Sequence, residues 1–182
     1  VAQIDARHLV ASSANVPPLR PLLPERVALH DVARLDTQVA PEGVPITPAA
    51  GSDVLFYQLT SGSTGIPKCI PERHDAIVAH IRSSAQECGH AGDGVTLNWL
   101  PFDHVVPMLT FHLADVYLCR TAVQLPTAEV VGEPLLWLRT MAEHGVTHSW
   151  APNFGFKLVA QADTDGAARR VDLTSVRRLM NA

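Results

Sequence analysis

The sequence has no basic run, no long apolar stretch and few cysteines, and each shortage closes off a class of function. Fourteen Lys and Arg against eighteen Asp and Glu give a net charge of −4, so no basic stripe is available to neutralise nucleic-acid phosphates or to hold an anionic membrane surface. No segment approaches the ~20 consecutive apolar residues that span a bilayer, and the first residues lack the charged, apolar and small-residue order of a secretion signal. The expectation is a cytoplasmic protein with no nucleic-acid and no membrane partner. Cys69, Cys88 and Cys119 are an odd number of separated thiols, which predicts reduced cysteines rather than a disulfide framework or a zinc knuckle. Nine histidines do not make a metal set: Gly145 separates His144 and His148 where a helix gives way to a strand, and Cys88 and His90 have no second pair at ligand spacing. No protein-held metal is expected.

What is present is an ordinary globular composition, 47% hydrophobic and 18% charged over 182 residues, enough for one core. Residues 8–12 and 27–32 are short β-compatible runs; the proline-rich stretch between them, 16–24, is expected to carry no helix. A Pro- and Gly-rich connector follows, and an alternation begins at Val54. Residues 54–59 predict a buried strand, and Ile77, Ile81, Ala85 and Cys88 then fall at helical spacing until Gly89. Strands at 95–100, 122–125, 146–150 and 176–180 alternate with helices at 105–118, 134–145 and 153–161. Such an order predicts an α/β fold, a largely parallel sheet with helices on both faces. Residues 1–53 are expected to hold partial N-terminal strands and the connector, and 54–182 the main α/β subdomain. Ligands gather beyond the carboxyl ends of strands in these sheets, which directs attention to the loops after Leu59, Leu100 and Trp150.

The first loop, Thr60-Ser61-Gly62-Ser63-Thr64-Gly65-Ile66-Pro67-Lys68, places four hydroxyl residues, two glycines and a lysine in nine positions. Glycines let the backbone approach closely, N–H groups and hydroxyls donate, and Lys68 adds a mobile charge, which together suit a polyphosphate. The spacing is not that of a Walker loop, because the glycines are three apart and Pro67 and Cys69 flank the lysine. A Ser- and Gly-rich surface turn is the plainer reading of the same composition. The second loop, Leu100-Pro101-Phe102-Asp103-His104, sets an imidazole among apolar neighbours, either to donate to a carboxylate or as a structural histidine. In the third, 149–156, aromatics can line an apolar slot; alternatively Asn153 caps a helix with Phe154 and Phe156 in the core.

The nine-residue string strongly resembles the phosphate-binding signature of the adenylate-forming superfamily: acyl- and aryl-CoA synthetases, fatty acyl-AMP ligases and the adenylation domains of nonribosomal peptide and polyketide synthetases. Leu100-Pro101 with His104 resembles that family's next motif, and Pro152-Asn153-Phe154 the segment before a helix in fatty acyl-AMP ligases. The resemblance covers residues 54–181, and the first fifty only by position. It implies an AMP-forming ligase that uses ATP with Mg2+ to activate a carboxylic acid and passes the acyl group to a phosphopantetheine thiol on a carrier protein. It implies that Thr60, Ser61, Gly62, Ser63, Thr64, Gly65 and Lys68 hold the β- and γ-phosphates, and that Lys68 and His104 act in catalysis. His104, Val105, Asn153, Phe154 and Gly155 would shape the acid site. Val105 stands where amino-acid-activating domains carry an aspartate for the ammonium group, which implies an acid without an α-amino group; a shifted register would instead give that role to Asp103. Residues 172–181 resemble the strand leading into the adenine pocket, so the chain is expected to be a fragment that is inactive by itself. An amino-acid-activating domain, a free-standing acyl- or aryl-CoA ligase and a non-catalytic nucleotide- or carrier-binding module are the alternatives.

Overall fold

Residues 5–35, 45, 47–60, 68–89 and 93–181 are described in the computed structural model. Contacts divide the chain into two compact units, Val1–Glu72 and Arg73–Ala182. The boundary read from composition at 53 and 54 marks the start of the motif-bearing strands, whereas contacts group those strands with the residues before them.

In the first unit, β1 (His8–Ala11) and β2 (Ala28–Asp31) pair in parallel, with His8 opposite Ala28 and Ala11 opposite Asp31. A parallel pair needs a crossover rather than a tight turn, and α1 (Val16–Leu19) with a 3₁₀ turn at Arg20–Leu22 provides it. The proline-rich stretch therefore does carry helical turns, against expectation. Pro17 and Pro21 sit at the start of their turns, where a missing N–H costs nothing, and neither turn extends. β3 (Val54–Thr60) forms where expected and pairs with β4 (Lys68–Arg73) in a two-stranded sheet. It is not buried: Leu55, Tyr57 and Leu59 are exposed, because one short partner strand covers neither face. β4 was hidden in the sequence by Pro71, which a strand tolerates at a sheet edge.

The second unit opens with α2 (His74–Cys88), which buries Ile77 and Ile81 and ends at Gly89 with φ of 62°. Its sheet has the order β6-β5-β7-β8, every pair parallel, from β5 (Val95–Asn98), β6 (Thr121–Gln124), β7 (His148–Ala151) and β8 (Arg178–Asn181). Successive residues of a strand point to opposite faces. Thr96 meets α3 (Ala114–Leu118) on one face, its hydroxyl donating to Asp115 at 2.7 Å, and on that face Phe111 stacks on Trp150 at 6.1 Å. On the other face α5 (Leu135–Glu143) brings Trp137 against Trp99 at 5.9 Å, and its indole N–H donates to Ser149 Oγ at 2.9 Å. Leu97, Trp99, Val130, Trp137, Met141, Val146 and Ala151 form the core there, closed by α4 (Thr127–Gly132) and α6 (Asn153–Ala162). Helices thus cover both faces.

In the second unit two further features differ from the sequence reading. The expected helix over 105–118 is π-wound from Pro107 to Leu113 before α3 begins, and α4, six residues long, is too short for a periodic signal. Among the described residues no helix is long and apolar enough to cross a membrane.

Asp115 and Arg120 form an ion pair at 2.7 Å with side chains 4% and 2% exposed. Cys119, at φ of 54°, turns the chain so that the Arg120 N–H bonds the Asp115 carbonyl at 3.0 Å. Burial pushes the Asp115 carboxyl up from its ordinary value, against the opposing pull of Thr96 and Arg120. A carboxyl whose pKa is raised by folding holds its proton more tightly in the folded state. Its contribution to stability is therefore greatest below the unfolded pKa and is lost as pH rises through the folded one. Arg120→Met is expected to destabilise this unit by about 3–5 kcal/mol at neutral pH, a deficit that narrows as acid protonates Asp115. Asp115→Leu added to it should restore most of the loss, as read by urea midpoints at pH 7 and pH 5. Gly155 sits where a Cβ would lie 2.8 Å from both Ala151 Cβ and Trp99 Cζ2. Gly155→Ala should accordingly lower stability by about 1–3 kcal/mol, with Ala151→Gly restoring part of it in a thermal melt.

Candidate functional site

β5 and β7 are neighbours, yet the chain leaving β5 returns at β6 on one side and the chain leaving β7 returns at β8 on the other. Their following segments diverge, and the carboxyl ends of two such strands leave a crevice between them. A cavity of about 300 Å³ lies there, lined by Leu100, Pro101, His104, Val106, Pro107, Trp150 and Pro152. Each wall follows from the topology. Leu100 and Pro101 are the turn beyond β5, Trp150 stands on β7, Pro152 caps α6, and Val106 and Pro107 start the helical segment that carries Phe111. The volume is at the low end of the ~300–1,000 Å³ usual for small-molecule sites.

These walls are apolar except for His104. Its ring is exposed, and Nδ1 accepts the backbone N–H of Val106 at 3.3 Å. A neutral imidazole that accepts at Nδ1 carries its proton on Nε2. In that form the ring has one donor left for a ligand at the edge of an apolar slot. Trp150 is fixed as a wall by its stacking on Phe111 and by the bond from its indole N–H to Asn98 Oδ1 at 3.1 Å.

Of the residues singled out in sequence, His104 lines this cavity. Val105 is half-buried in the same turn, where its neighbour Val106 supplies the lining. Asn153 is the first residue of α6, not its cap, and accepts from Asn181 Nδ2 at 2.7 Å. Phe154 meets Trp99 edge-on at 5.8 Å, and Gly155 packs under Trp99 and Ala151. These three adjoin Pro152 of the wall without being among its described lining residues. Asp103 is exposed and is not among them either. In the first unit, Thr60 ends β3 and Lys68 begins β4 with its side chain exposed; Ser61, Gly62, Ser63, Thr64 and Gly65 lie outside the described residues. Trp150, one of the aromatics of the 149–156 loop, is a wall as that reading allowed, whereas sequence reasoning missed Val106 and Pro107 as site residues, because apolar residues at a helix start read as core. The signal that could have found them is their position at the helix start after β5. Among the described residues no three His, Cys, Asp or Glu side chains group as a metal set, and the cysteines are free.

The family model of the AMP-binding enzyme matches residues 2–182, which takes in the first fifty residues as well. Microperfuranone synthase of Emericella nidulans is 29% identical over 183 residues, 99% of this chain and 19% of that protein. Among solved structures, the McyG A-PCP structure complexed with phenylalanyl-adenylate shares 28% identity at a TM-score of 0.84, covering 96% of this chain and 32% of that one. The adenylation domain of a keto acid-selecting NRPS module, bound to keto acyl adenylate, shares 25% identity at a TM-score of 0.78, again covering 96% of this chain and 32% of that one. This chain thus spans less than a third of each protein's length. With a parallel sheet, helices on both of its faces and a match running from its second residue to its last, the chain belongs to the AMP-binding enzyme family.

Proposed function

We propose that the chain is part of an ATP-dependent domain that activates a carboxylic acid as its acyl-adenylate and loads it onto a carrier protein. The observation that carries this reading is the apolar cavity at the carboxyl ends of β5 and β7, with His104 as its ring donor, in a chain of the AMP-binding family. In the reaction a carboxylate oxygen attacks the α-phosphorus of ATP, the bond to pyrophosphate breaks, and acyl-AMP forms. The sulfur of a phosphopantetheine thiol then attacks the acyl carbon, AMP leaves, and the thiol proton is lost to a base. Thr60, Ser61, Gly62, Ser63, Thr64, Gly65 and Lys68 hold the β- and γ-phosphates, with Mg2+ carried on the nucleotide. Positioning and charge neutralisation account for most of such a step. The exposed Lys68 ammonium, directly after the hydroxyl-rich segment, supports that role.

The acid carries no α-ammonium group. Val105 offers an ammonium no carboxylate, and the Nε2–H of His104 is a donor that suits an oxygen and repels a cation. The keto acyl adenylate held by one structural neighbour has that chemistry. Asn153, Phe154 and Gly155 act on the acid side by fixing where α6 starts beside Pro152. The A-PCP neighbour supports a carrier protein as acceptor, and the free cysteines support a reducing, cytoplasmic setting. A second reading, an amino acid anchored by Asp103, draws on the phenylalanyl-adenylate in that same neighbour.

ATP–pyrophosphate exchange by the full-length protein tests this with matched panels of 2-oxo, aryl, fatty and amino acids. Exchange should be at least about tenfold faster, worth ~1.4 kcal/mol, with acids that lack the amino group. Exchange with amino acids alone would transfer the anchor to Asp103, and silence across the panel would leave a non-catalytic binding module. Lys68→Ala is expected to slow exchange by roughly 10²-fold; an unchanged rate would remove Lys68 from the phosphate site.

A further inference from the structure

Asn98 is the last residue of β5 and is 1% exposed. A carboxamide has two N–H donors and an oxygen with two lone pairs, and here all four are engaged. Nδ2 donates to the Leu100 carbonyl at 2.7 Å and to Gln124 Oε1 at 3.0 Å. Oδ1 accepts the Leu100 N–H at 3.3 Å and the Trp150 indole N–H at 3.1 Å. The partners come from three places: the turn beyond β5, the end of β6 and the end of β7. Gln124 lies directly opposite Asn98 in the strand register. Leu100, the second residue past β5, is gripped at both its N–H and its C=O, which fixes the bend of the chain there. Leu100 and Trp150 are both walls of the cavity. We infer that Asn98 is a positioning residue whose amide clamps the Leu100 turn and the Trp150 ring, and so sets the shape of the acid-binding cavity before a ligand arrives.

A leucine at this position would fill similar volume and lose all four bonds, leaving the Leu100 backbone and the Trp150 indole to find other partners. Small displacements of a binding wall weaken catalysis far more than they weaken packing. The cavity's role as an acid site rests on the function proposed above, whereas the clamp is a property of the fold, and the two are tested separately.

In the full-length protein, Asn98→Leu should speed amide hydrogen exchange over residues 100–106 by about tenfold while β7 and α5 stay protected. It should also raise the KM for the acid by about tenfold with the KM for ATP unchanged. Gln124→Met, at an exposed position, removes one of the four bonds and should move both readouts the same way by about threefold. If Asn98→Leu does not fold, Gln124→Met decides alone. Exchange that rises evenly across the sheet overturns the inference, as does an unchanged acid KM with only a lower melting temperature and a smaller active fraction. Unaltered exchange over 100–106 in Gln124→Met overturns it too. If the wild-type protein activates no acid, the proposed function falls, and local hydrogen exchange in the two variants still decides the clamp.

Discussion

The placement of β5 beside β7, with their onward connections running to opposite edges of the sheet, is the constraint on which the rest of the second unit depends. Parallel strands joined by right-handed crossovers put their helices on opposite faces when they run in opposite directions. The helical segments after β5 accordingly meet Thr96 and Trp150, while those around β7 meet Leu97, Trp99 and Ser149. Both central strands are then covered on both faces, and all four residues of β7 are buried. The same divergence parts the two loops at the carboxyl ends and leaves the space that the cavity occupies.

Burial on both faces obliges every polar group in β5 and β7 to find a partner. Ser149 does so by accepting from Trp137 and donating to the Leu97 carbonyl at 2.8 Å, which ties a helix to two strands through one hydroxyl. Thr147 donates to the Val95 carbonyl at 2.9 Å and accepts the Val95 N–H at 3.0 Å, extending the ladder by a side chain. The Asp115–Arg120 pair is of another kind. Removing two charges from water offsets much of their attraction, so the pair contributes less to net stability than to fixing α3 against Thr96 and turning the chain at Cys119 into β6. Neutral bonds run the length of the two strands, from Thr147 and Val95 at their amino ends to Asn98 beside the cavity, whereas the charged pair joins α3 to the start of β6.

How much of this was legible in the sequence follows from which forces are local. The apolar runs at 95–100 and 146–150, the helical spacing from Ile77 to Ile81 and the stop at Gly89 are local signals, and the elements form there. Helix α4 and strand β4 were not legible, one for want of length and the other because Pro71 reads as a breaker until its strand is seen to lie at an edge. The exposure of β3 depends on what packs over it, which no periodicity within β3 encodes. The same division holds at the site. His104 stood out because an imaginable chemistry attached to one residue in a recognisable string, whereas Val106 and Pro107 become site residues only through the order β6-β5-β7-β8, a non-local fact. Asn98 reads in sequence as an isolated polar residue in a strand. Its four partners, spread over three elements, make it informative.

On the proposed reading, the cavity discriminates between acids by what it would leave unpaired rather than by how strongly it attracts. Its walls are leucine, prolines, a valine and a tryptophan whose indole N–H is already engaged with Asn98. Those side chains have no acceptor left for an ammonium group. Moving a cation from water against them would cost several kcal/mol even after partial compensation. A 2-oxo group carries no such charge, and its oxygen can accept from Nε2 of a neutral His104 ring whose Nδ1 takes the Val106 N–H. Rejection of this kind needs the walls to stay in place, because a loosened turn would admit more water to solvate the unwanted ammonium. Specificity at the acid's α-carbon would therefore depend on the rigidity of the Leu100 turn as well as on the identity of His104 and Val105.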